Sequence, residues 1–64
     1  MIEDKELFKL FTYYNLKDYT LKIDKKGYYY LIYNVTKHVI CYTKNSETMA
    51  KAIHLIGGNI SDDQ

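Results

Sequence analysis

The sequence predicts an α+β fold: a three-stranded antiparallel sheet flanked by an N-terminal and a C-terminal helix, in the order α-β-β-β-α. Three observations carry that expectation. An apolar stripe of helical period opens the chain, the period drops to two after Asn15, and a second helical stripe follows Asn45. Consecutive short hairpins force an antiparallel meander, so both helices can cover only one face of the sheet. The other face is left to water or to a partner.

The first helix is predicted from about Glu3 to Tyr14. Leu7, Leu10, Phe11 and Tyr14 recur at the spacing of one buried stripe. Glu3, Asp4 and Glu6 occupy the first turn, where the helix dipole favours acid, and Asn15 suits a left-handed stop. Next, Tyr19, Leu21 and Ile23 alternate with Asp18, Thr20, Lys22 and Asp24, the pattern of a half-buried strand. Asp24-Lys25-Lys26-Gly27 is the best local signal in the chain. Gly27 can take the positive φ that closes a short hairpin loop with a bulge.

The second strand runs from Tyr28 to about Val35 with large apolar groups at every position, so its period does not say which face is buried. Asn34-Val35-Thr36-Lys37 is a weaker turn, and Val39 to Thr43 is the third strand. The last helix begins at Asn45 or Ser46, either of which can cap exposed amides. Its stripe is Met49, Ala52, Ile53 and Ile56, with Glu47, Lys51 and His54 facing elsewhere. Gly57-Gly58 is read as its stop, and residues 59–64 as a frayed polar tail.

Sixty-four residues make one compact domain, 1–64, with 30 apolar or aromatic side chains for a single small core. The lone Cys41 rules out an internal disulfide and suits a reducing, cytoplasmic setting. No apolar run approaches the ~18 residues that span a bilayer, so no membrane partner is expected. Met1 followed at once by acid reads as a complete intracellular product.

Net charge is +1, yet residues 17–51 carry seven lysines against Asp18, Asp24 and Glu47, a local excess of four positive charges. There is no arginine, the residue whose bidentate fork suits guanine edges and phosphates. Five of the eight tyrosines (Tyr28, Tyr29, Tyr30, Tyr33, Tyr42) fall within fifteen residues. Tyrosine is a good strand residue, but it is also a favoured contact residue, and so small a core cannot enclose eight. Tyr14 and Tyr19 fall in phase with the apolar stripes and are expected in the core.

No catalytic, cofactor-binding or metal-ligating constellation is legible. His38 and Cys41 lie three apart on a strand and so should face opposite ways, and His54 is one polar residue on a helix flank. Cys41 lacks a third group to complete a nucleophilic site. Gly57-Gly58 ends a helix, whereas anions bind where helices begin. What remains is surface. The candidate partner-binding residues are Lys22, Lys25, Lys26, Tyr28, Tyr30, Lys37 and His38. Two free sheet edges, with Lys44 beyond the third strand, also predict a homodimer.

Lys17-Asp18-Tyr19-Thr20-Leu21-Lys22-Ile23, placed after a short helix, resembles the first strand of a family of small type II-A anti-CRISPR inhibitors. The spacing to Asn45-Ser46-Glu47 and on to Ile53 is similar to that family as well. The resemblance implies a protein that inhibits an RNA-guided DNA nuclease by presenting acidic loops where the enzyme would read DNA. Here the hairpin tips carry Lys25, Lys26 and Lys37 instead, and nothing beyond Gly57 corresponds to the family's acidic extra helix.

The element order is also similar to double-stranded RNA-binding domains, with Ser46, Ala50 and Lys51 matching part of their final-helix motif. Glu47 and Thr48 stand where paired lysines would grip phosphate. Gly27 to Ala52 looks like the three-stranded, one-helix DNA-reading domains of some phage integrases, without their arginine-rich strands. The expected function is a non-catalytic phage or mobile-element accessory protein. It would bind and inhibit or modulate a host protein, such as a CRISPR or other defence nuclease, in the host cytoplasm. The alternative is a nucleic-acid-binding module that uses Lys22, Lys25, Lys26, Lys37 and Lys44.

Overall fold

A computed structural model describes residues 2–62, with side chains described through Gly58. The element order is α1 (Asp4–Tyr14), β1 (Tyr19–Ile23), β2 (Tyr29–Tyr33), β3 (His38–Thr43) and α2 (Ser46–Asp62), the α-β-β-β-α order expected. The sheet is an antiparallel meander with β2 in the centre.

Local chemistry explains most boundaries. Glu6 accepts the Glu3 amide at 3.2 Å across the first turn of α1, and Asn15 ends the helix at φ 55 with its N–H on the Thr12 carbonyl. Asn45 caps α2, its Oδ1 accepting the Glu47 amide at 2.8 Å and the Thr48 amide at 3.1 Å. Gly27 takes φ +91 in the first hairpin, as the Asp24-Lys25-Lys26-Gly27 signal requires. In the second hairpin Lys37 fills the left-handed position at φ 67, with its N–H on the Tyr33 carbonyl at 2.8 Å.

The core is one cluster on one face of the sheet. Leu7 from α1, Leu21, Tyr29 and Leu31 from the strands, and Met49, Ala50 and Ile53 from α2 are buried together, with Leu16 between elements. Leu10, Phe11, Tyr14, Tyr19, Cys41, Ala52 and Ile56 pack around it half-buried. Tyr14 and Tyr19 are therefore at the margin of the core, because each lies at an element end. Tyr14 leans on α2, and Tyr19 sets its ring 5.1 Å from Tyr33.

Two expectations fail. The first is the helix stop, since α2 runs on through Gly57 and Gly58 to Asp62. Gly57 is buried beneath the Tyr14 ring, and a Cβ there would overlap that ring. Its job is to let the two helices approach, so packing overrides the roughly 1 kcal/mol that glycine costs in a helix. Residues 59–62 of the expected tail are thus helical, and 63–64 lie outside the described residues.

The second failure is the straight third strand. Leu31 pairs with Cys41 but Ile32 pairs with Val39, so Ile40 is an extra residue, a β-bulge. The bulge cancels the alternation that would have put His38 and Cys41 on opposite faces. His38 lies opposite Tyr33 and Cys41 opposite Leu31, both on the helix side.

Candidate functional site

The site is the sheet face that the helices leave open. Its phase is set by the first hairpin. Asp24 donates its N–H to the Tyr28 carbonyl at 3.0 Å, and from there Ile23 pairs with Tyr29, Lys22 with Tyr30 and Leu21 with Leu31. Leu21 belongs to the core, so Tyr29 and Leu31 turn inward with it, 6% and 0% exposed. Tyr28, Tyr30 and Ile32 must then face out, beside Thr20 and Lys22. The bulge adds Val39 and Ile40 in succession from β3, 49% and 45% exposed, followed by Tyr42 at 55%.

Three tyrosines form a block across β2 and β3. The Tyr28 and Tyr42 rings stack at 4.8 Å with planes 14° apart, and Tyr30 stands 4.8 Å from Tyr42 on the directly paired position. That spacing is the distance between neighbouring strands, so the rings stand up from the sheet side by side. The Lys44 ammonium lies 5.7 Å over the Tyr28 ring, a cation–π contact.

Asp24 organises this end. One carboxylate oxygen accepts the Lys26 and Tyr28 amides, each at 2.9 Å, and the other accepts the Tyr30 hydroxyl at 2.9 Å. The Tyr28 amide, with smaller help from the Tyr30 hydroxyl and the Lys26 and Gly27 amides, holds the Asp24 carboxyl below the usual carboxylate range. The same bond to Asp24, aided by burial and by Tyr42, pushes the Tyr30 phenol up to about 12. Both groups are therefore held in one protonation state at neutral pH, Asp24 charged and Tyr30 neutral. A shallow recess of about 360 Å³ lies here between Lys22, Ile23, Asp24, Tyr30 and Ile32.

The candidate residues divide between two ends of the sheet. Lys22, Tyr28 and Tyr30 share the open face, and Lys25 and Lys26 form the hairpin tip beside them. Lys37 and His38 belong to the opposite end, about five strand residues or ~17 Å away. Lys37 is occupied with turn geometry, and His38 pairs its Nδ1 with Thr36 Oγ1 at 2.9 Å on the helix-side register. The block also includes Tyr42, Val39 and Ile40. The three-residue loop Lys25-Lys26-Gly27 was the available signal for Tyr42, because it fixes Asp24 opposite Tyr28 and hence the phase of β2. No pattern in the sequence announces the bulge that turns Val39 outward.

Elsewhere, Tyr29 donates its hydroxyl to Asp4, which with burial pushes that phenol up to about 12 and ties α1 to β2. Burial also raises the Cys41 thiol, which keeps it protonated and a poor nucleophile. Among the described residues no group of three or more His, Cys, Asp or Glu side chains could hold a metal ion, and no helix is long and apolar enough to cross a membrane. No family model matches the chain, and comparison with curated proteins and with solved structures likewise gives no match.

Proposed function

We propose that this chain is a binding protein without chemistry of its own, which docks the open face of its sheet on a partner protein and so inhibits or modulates it. The observation that carries the reading is the contiguous outward block of exposed Tyr42, Val39 and Ile40 with half-buried Tyr28, Tyr30 and Ile32, on a domain whose core lies on the other sheet face. Exposed apolar blocks of this kind mark contact sites, and tyrosine supplies rigid contact area at low entropic cost. The resemblance to anti-CRISPR inhibitors makes a host defence nuclease the first partner class to test. The chain would then be a phage or mobile-element accessory protein at work in the host cytoplasm. Homodimerisation through the β3 edge has less in its favour, because the bulge at Ile40 interrupts that edge.

Capture from the source cell with immobilised wild-type chain should retain a partner protein that Tyr42→Ala does not, while that variant stays folded at the temperature of the assay. Purified nuclease activity should fall on adding the wild-type chain. Tight retention of duplex DNA or RNA at physiological salt would sink this reading in favour of a nucleic-acid module, whose affinity should instead collapse as salt rises.

A further inference from the structure

The two ends of the open face make different demands on whatever covers them. At the first-hairpin end stand Lys22, Lys25, Lys26 and Lys44, ammoniums that can only donate hydrogen bonds. Asp24, at the base of the hairpin, already accepts two amides and the Tyr30 hydroxyl, and the acids Glu3, Asp4 and Glu47 border Lys44 in a recess with Ile2 and Tyr29, a residue of the inner face. That end calls for anionic acceptors. At the other end exposed Val39 and Ile40, with half-buried Ile32 beside them, offer no side-chain hydrogen bonds and call for apolar cover.

A nucleic-acid strand meets only the first demand. Its bases would also need open ring faces on which to stack. Tyr42 has two ring neighbours at 4.8 Å each, and Tyr28 has Tyr42 and the Lys44 ammonium, so part of the ring surface that bases would stack on is already taken. A second copy docked face to face by two-fold symmetry would bring four more lysines to the same small face. A peptide segment that carries carboxylates beside aliphatic side chains meets both demands at once.

We infer that the open face takes an acidic, apolar segment of a partner protein, its carboxylates at Lys22 and Lys44 and its aliphatic side chains on Ile32, Val39 and Ile40. The inference rests on the docking reading above and adds the chemistry of the occupant. The strands offer ~17 Å of length, so about five extended residues span the face. Asp24 matters by holding Tyr30 and the tip in place before the partner arrives, which lowers the ordering cost of binding.

The test uses the intact chain, isotopically labelled, with four probes: short synthetic peptides of alternating Glu–Leu, Lys–Leu and Glu–Ser, and oligothymidylate. The Glu–Leu peptide should shift the amides of Lys22, Tyr30, Ile32, Val39 and Tyr42 and bind at least about tenfold more tightly than the other probes. Reversing the charge with Lys22→Glu plus Lys44→Glu should remove about tenfold of that affinity, and Tyr42→Ala a similar factor. Equal binding of the Lys–Leu peptide overturns the acidic requirement, and equal binding of Glu–Ser overturns the apolar one. Tighter binding of oligothymidylate at physiological salt overturns the choice of a protein occupant. If the Glu–Leu peptide leaves the open face unshifted while Tyr42→Ala still abolishes partner capture, the occupant's chemistry is wrong and the docking reading stands.

Discussion

The two faces of this sheet are built from the same residue type and do opposite things. Tyr29 turns inward, packs among Leu7, Leu31 and Met49, and gives its hydroxyl to Asp4 on α1. Its neighbours Tyr28 and Tyr30 turn outward, where their rings meet Tyr42 instead of a core. Three consecutive tyrosines thus serve two purposes, divided by strand alternation alone. The buried core lies on one face, and the outer rings pack only against one another and Lys44.

The sharpest way to break that contrast is to truncate one tyrosine from each face. Tyr29→Ala should cost about 3–5 kcal/mol, as buried aromatic truncations do, and in so small a domain that can abolish folding. Tyr42→Ala should cost only about 1 kcal/mol, the worth of its ring contacts with Tyr28 and Tyr30. Equal losses in the two variants, measured by urea titration, would mean that the outer tyrosines belong to a second core and not to a contact surface.

The inner side also depends on a close approach far from the sheet. Gly57→Ala would press a methyl group into the Tyr14 ring, and overpacking of this kind costs about 1–3 kcal/mol. In a Tyr14→Ala background the same change should turn neutral or stabilising, since alanine is the better helix former by about 1 kcal/mol. A Gly57→Ala penalty that survives removal of Tyr14 would show that the ring is not what the glycine accommodates.

These residues also show how far the sequence could be read. Element types, the Asn15 stop, the Asn45 cap and the first hairpin were legible because each rests on local chemistry within a few residues. Gly57 looks like a helix stop for the same reason, since its role depends on a ring 43 positions earlier in the chain. The faces of β2 are silent in β2 itself, where every side chain is large and apolar, and are decided by pairing with β1. The bulge at Ile40 separates Lys37 and His38 from the open face, and no composition or period marks it.

A smaller effect sharpens the inner face. Tyr29→Phe keeps the ring and removes only the hydroxyl bond to Asp4, so it should cost about 1 kcal/mol. The Tyr29 phenol is raised to about 12 in the fold from an ordinary value of 10.0. The folded state therefore favours its protonated form. The contribution is complete below pH 10.0 and is lost as pH climbs toward about 12. Ultraviolet titration should show a late-ionising tyrosine that disappears in Tyr29→Phe, leaving Tyr30 as the other high-pH phenol.

The smallest expected effect on stability lies on the outer face, at Asp24. Its folded carboxyl titrates below its ordinary 3.8, because charged oxygens serve the Tyr28 and Lys26 amides and the Tyr30 hydroxyl. A lowered carboxyl contributes stability above its unfolded value and loses it as pH falls through the folded one. The melting temperature should thus dip slightly below pH 3.8 in the wild type, and less so in Asp24→Asn. Asparagine keeps one carbonyl oxygen for the two amides, whereas Asp24→Ala frees both the loop and the Tyr30 hydroxyl. Asp24→Ala should accordingly melt modestly below the wild type, less far than Tyr29→Ala, and bind its partner more weakly, because the outer block is no longer held in place. A variant that loses stability heavily, or that binds undiminished, would show that Asp24 supports the fold and not the contact face.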